Sequence, residues 1–174
     1  GVELPSRIYL FQGLPKADKM ELIIQKAVEL GVYQVIPVAM KRCVVKLDDK
    51  KASSKLTRWQ GIAEAAAKQS KRGIIPQITK VMTFAQALEY SRTAQVRLVP
   101  YELAEGMDRT REIIEQIQPG QDIAVFIGPE GGFDEAEIGK VIEAGMQPIT
   151  LGKRILRTET AGMTVLSILM YHLE

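Results

Sequence analysis

The sequence predicts an α/β fold, a mostly parallel sheet flanked by helices. Two observations carry this. Short β-branched runs alternate with stretches of helical period along all 174 residues, and two glycine- and charge-rich loops each follow a strand and lead into a helix. In such folds ligands bind at the carboxyl ends of the strands. The length suits one domain with a sizeable core.

Residues 7–11 read as the first strand. Over residues 18–30, Met20, Ile23, Ile24, Ala27 and Leu30 recur at helical spacing. Asp18 with Glu21 is patterned as a capping box, and Gly31 is placed to end the helix in the left-handed region. The next strand, residues 32–38, completes a strand–helix–strand unit and therefore a parallel crossover. Residues 41–50 are polar and basic. From residue 51 to about 71, Leu56, Trp59, Ala63 and Ala66 trace the apolar stripe of a long helix, with Arg58, Lys68 and Lys71 off that stripe. Trp59 is accordingly a core residue rather than a stacking platform. Further strands are expected at 96–99, 123–127 and 147–151, with helices near 84–90, 109–117, 135–144 and 159–173. In the last helix Met163, Leu166, Met170 and Leu173 share one face, suited to a core or a dimer contact. His172 is expected at a C-terminal cap or dimer contact.

Hydrophobic residues make up 46% of the chain and charged residues 25%, which excludes disordered, collagen-like and coiled-coil classes. A single cysteine, Cys43, and a single histidine, His172, can form neither an internal disulfide nor a Cys/His zinc site. No metal is expected, Cys43 is expected to be inert, and a reducing, cytoplasmic setting is favoured. Apolar runs such as 123–127 fall far short of the roughly 20 residues a bilayer requires, so no membrane association is expected. Net charge is only +2, yet residues 41–72 carry ten Lys/Arg against three Asp/Glu. That asymmetry fits either a solvated helix face or a footprint for a polyanion.

Residues 123–127 run directly into Gly128, Pro129, Glu130, Gly131 and Gly132. Phe133, Asp134, Glu137 and Ile138 then occupy the positions of a hydrophobic staple and capping box. Glycines let a flat ligand approach the main chain, and the segment matches neither a Walker A loop nor G-x-G-x-x-G. A valine at Gly131 is expected to intrude on that ligand. The second loop, Leu151-Gly-Lys-Arg-Ile-Leu-Arg-Thr-Glu-Thr-Ala161, places Lys153, Arg154 and Arg157 beside a helix start. Thr158 is the expected N-cap and Glu159 lies in the first turn. Guanidinium forks suit phosphates and oxyanions.

Ile127-Gly-Pro-Glu-Gly-Gly-Phe133 and the 151–161 loop resemble the two signature loops of the RsmE family, bacterial 16S ribosomal RNA uridine-N3 methyltransferases of the SPOUT superfamily. Asp18-Lys19-Met20-Glu21, Lys26, Glu29-Leu-Gly31 and Glu64-Ala-Ala-Ala-Lys-Gln-Ser-Lys-Arg72 extend the likeness over nearly the whole chain. The resemblance implies a C-terminal trefoil knot, a homodimer, S-adenosyl-L-methionine as cofactor, and 16S rRNA or the small ribosomal subunit as partner. It also implies that this chain is the methyltransferase domain, without the family's N-terminal PUA-like barrel.

Carried over, the cofactor site comprises Val99, Pro100 and Tyr101; Ile127, Gly128, Pro129, Glu130, Gly131 and Gly132; and Leu151, Gly152, Ile155, Leu156, Arg157, Thr160 and Ala161. Leu151, Ile155 and Leu156 would form its apolar walls. Arg157 or Arg154 would stabilise negative charge on the uracil carbonyls, and Glu159 or Glu130 would accept the N3 proton. Glu159, at a helix N-terminus, would be a feeble base. Lys68, Lys71, Arg72, Lys153 and Arg154 are the expected RNA contacts. The alternatives are ribose 2′-O methyl transfer by another SPOUT enzyme and a non-catalytic RNA-binding module.

Overall fold

The computed structural model describes residues 1–102 and 106–174. In chain order the strands are β1 (Ile8–Gly13), β2 (Gln34–Ala39), β3 (Gln77–Ile78), β4 (Met82–Thr83), β5 (Val96–Pro100), β6 (Ile123–Ile127) and β7 (Gln147–Ile149). Between and after them run helices α1 (Lys19–Glu29), α2 (Asp49–Gln69), α3 (Phe84–Tyr90), α4 (Met107–Glu115), α5 (Glu135–Glu143) and α6 (Thr158–Leu173). The sheet order is β3-β2-β1-β6-β5-β7, with β4 also beside β2, and every pairing is parallel. The expected mostly parallel α/β sheet is what forms. The two-residue strands β3 and β4 were not expected, since two residues carry no period to read.

A parallel sheet covered on both faces needs strands apolar on both sides, and every residue of β6 is buried. Phe11 and Phe126 stack across neighbouring strands with centroids 4.4 Å apart. Helix α2 presents Trp59, Ala63, Ala66 and Ala67 to the core, so Trp59 is a packing residue.

Helix boundaries follow local chemistry in most places. Gly31 adopts φ +98, and a Cβ there would meet the Leu4 side chain at 2.6 Å, so glycine is required after α1. Asp134 caps α5 by accepting from the Ala136 and Glu137 N–H groups, and the Glu137 carboxylate closes the capping box on the Asp134 N–H. At α1 the expected box does not form. Asp18 makes no side-chain cap bond and lies outside the extended conformation of an N-cap, at φ −90 and ψ 11, while Glu21 is engaged by the Arg58 guanidinium through two bonds of 2.9 Å. His172 ties α6 to the end of the α4 segment instead of capping its own helix, its Nε2 lying 2.8 Å from the Ile117 carbonyl. On the last helix, Leu166 and Leu173 are buried, while Met163 and Met170 are partly exposed.

Candidate active site

Strands β5, β6 and β7 lie side by side in the sheet, so the segments leaving their carboxyl ends meet. A cleft of about 1000 Å³ opens between them, walled by Pro100, Tyr101, Ile127 to Phe133, Thr150 to Thr158 and Ala161. That volume is at the upper end for a small-molecule site. The two loops singled out in the sequence are thus brought to one cleft by strand order.

The glycine loop is shaped as much by its protein neighbours as by a ligand. A Cβ on Gly13, at the end of β1, would sit 2.7 Å from the Pro129 backbone nitrogen and Cδ, so the β1 turn and the glycine loop touch main chain to main chain. A Cβ on Gly131 would meet Arg42 Cβ at 3.0 Å and its carbonyl oxygen at 3.3 Å. The expectation that a side chain at Gly131 would enter the ligand space is therefore corrected: it would strike the β2–α2 loop. Gly132, at φ +75 with nothing within 4 Å of a built Cβ, is the glycine whose open side leaves room for a ligand.

Thr158 is the first residue of α6, and Arg157 holds the N-cap position without a side-chain cap bond. The Thr158 hydroxyl, expected to cap the helix, instead donates to the Gly128 carbonyl at 2.6 Å and accepts from Gln12 Nε2 at 2.8 Å. Lys19 makes a second tie, with its Nζ 3.2 Å from Glu130 and 3.9 Å from Glu159. Burial pushes the Glu130 carboxyl up, but the Lys16 and Glu130 N–H groups and the Lys19 ammonium outweigh it and hold the pKa below its ordinary value. Glu130 is thus a charged anchor at neutral pH and a poor proton acceptor. Glu159 is turned toward Lys19 and is not part of the cleft wall.

Of the other expected site residues, Val99 is fully buried in the sheet, and Thr160 lies outside the wall. Ile155 borders the cleft but is 90% exposed, so it closes no wall within one chain. Lys153, Arg154 and Arg157 are exposed at the rim. Lys19, Arg42 and Phe133 also line the cleft and were missed as site residues, because nothing local in sequence links them to the two loops. Cys43 is buried, and burial pushes its thiol up, as expected of an inert cysteine.

Arg72 is a correction. Its side chain is 5% exposed, and its guanidinium donates to Glu3 and to the carbonyls of Val28 and Val32. It is a structural clamp with nothing left to offer RNA. Lys68 and Lys71 are exposed and lie in the last turn of α2 and just beyond it, at the opposite end of a 21-residue helix roughly 30 Å long from the β2–α2 loop.

The RNA methyltransferase domain family model matches residues 2–170. The chain is 42% identical over 175 residues to the ribosomal RNA small subunit methyltransferase E of Bacillus subtilis, covering 99% of this chain and 68% of that protein. It is 37% identical to the same enzyme of Mesomycoplasma hyopneumoniae, covering 95% of this chain and 70% of the relative. Among solved structures, ribosomal RNA small subunit methyltransferase E from Neisseria gonorrhoeae bound to S-adenosyl methionine matches with TM-score 0.83 and 37% identity, over 95% of this chain and 66% of that one.

Proposed function

This chain belongs to the ribosomal RNA small subunit methyltransferase E family, and we propose that it methylates N3 of one uridine in 16S ribosomal RNA, using S-adenosyl-L-methionine. The observation that carries the reading is the meeting of three strand-end loops around one cleft with cations at its rim. The donor set fits the cofactor: Gly132 leaves an open cradle, main-chain groups of the loops can read adenine edges, and the carboxylates of Glu102 and Glu135 line the wall where a sulfonium and an amino group need negative partners.

When bound, the cofactor supplies an electrophilic methyl carbon. The protein holds the uracil in line with it, since positioning alone accounts for much of such a rate. Arg157 and Arg154, exposed and outside every ion pair among the described residues, stabilise the charge that develops on the uracil carbonyl oxygens as N3 gives up its proton. With Glu130 and Glu159 held by Lys19, the proton passes to water.

The same reading makes the protein a cytoplasmic homodimer carrying the family's trefoil knot. Ile155 and Tyr171, 90% and 86% exposed, support the dimer, because large apolar side chains at a surface mark interaction sites. Incubation with small-subunit rRNA and a labelled methyl donor, followed by nucleoside mass spectrometry, tests the function. 3-Methyluridine is the expected product; a 2′-O-methylated nucleoside would move the chain to the ribose chemistry, and no incorporation would leave a binding module.

A further inference from the structure

The basic segment 41–72 meets the cleft at its beginning, not its end. Arg42 lies in the loop after β2, lines the cleft, and donates from Nη1 to the Gly131 carbonyl at 3.2 Å. The loop is pinned on both sides of it: the Lys41 N–H donates to Glu137 at 2.8 Å, and the Met40 N–H donates to the buried Cys43 Sγ at 3.3 Å. One bond to Gly131 leaves most of the five guanidinium donors unused, and Arg42 makes no ion pair among the described residues. Across the glycine loop, Arg154 and Arg157 are exposed in the same way.

We infer that Arg42 binds a backbone phosphate next to the target nucleotide, opposite the arginines of the 151–161 loop. The inference rests on the methyltransferase reading and deepens it. A base turned into a cleft leaves a phosphate on each side of its sugar, and a cleft with a cation on each rim matches that arrangement. Charge balance supports it: the cofactor's single carboxylate can partner at most one of the cations along this cleft, whereas an RNA backbone brings one negative charge per nucleotide.

The test compares the 174-residue protein with its Arg42→Gln and Arg42→Lys variants, binding a small-subunit rRNA transcript over a series of salt concentrations. Glutamine can keep the bond to the Gly131 carbonyl while removing the charge. For Arg42→Gln, RNA affinity should fall about five- to tenfold at low salt, and the log–log salt slope should decrease by about 0.7–0.9. Calorimetric affinity for S-adenosyl-L-methionine should stay within about twofold, and Arg42→Lys should keep most of the slope. An unchanged slope, or an equal loss of cofactor affinity, overturns the inference. Were the wild type to methylate no RNA while Arg42→Gln still flattened its salt slope, the methyltransferase reading would fail and the phosphate contact would stand.

Discussion

The Thr158 hydroxyl donates to the Gly128 carbonyl at 2.6 Å, joining the first residue of α6 to the first residue of the glycine loop. Gln12 Nε2 completes the chain of bonds at 2.8 Å. Thr158→Val keeps the shape and removes the hydroxyl, leaving the half-buried Gly128 carbonyl without this donor and the Gln12 amide with only its bond to the Gly13 carbonyl. Stability should fall by about 1–3 kcal/mol, with weaker cofactor binding, while Thr158→Ser should restore both. Denaturant titration and calorimetry check this.

Gly13 and Pro129 are in main-chain contact, so Gly13→Ala cannot be absorbed by a side-chain rotation. A cost of about 1–3 kcal/mol is expected, and displacement of the glycine loop should weaken cofactor binding in parallel. A normal unfolding midpoint would show that the two turns can part without loss.

Arg157→Ala should slow methyl transfer roughly a hundredfold, about 3 kcal/mol of transition-state stabilisation. Its side chain caps nothing, so folding and cofactor affinity should survive. Collapse of cofactor affinity in calorimetry would make Arg157 a cofactor or folding residue.

Arg72→Met should destabilise the fold by about 3–5 kcal/mol, because Glu3 and two carbonyls lose a buried cation. The salt dependence of RNA binding by the folded fraction should not change. A stable variant with a flattened slope would return Arg72 to the RNA surface.

The Glu130 carboxyl titrates below its ordinary value of 4.5. A depressed carboxyl contributes stability that is present above the ordinary value and is lost as pH falls through the lower folded one. Glu130→Gln should therefore be less stable than wild type at neutral pH and should show less of the acid-induced decline. Unfolding curves collected at neutral pH and at about pH 4 check the sign; parallel declines would show that Glu130 is not a linked group.

Much was legible in the sequence by itself. The alternation of strands and helices, the left-handed Gly31, the capping box of Asp134 and Glu137, and the burial of Trp59 depend on neighbours within a turn or on hydrophobic period, and both are written along the chain. Other roles depended on which strands lie side by side. Thr158 and Gln12 are 146 positions apart, Arg42 and Gly131 are 89 apart, and Arg72 meets Glu3 across 69. Only the path of the chain brings such pairs together, and it is there that a residue read as a helix cap became a loop tie and one read as an RNA contact became a buried clamp.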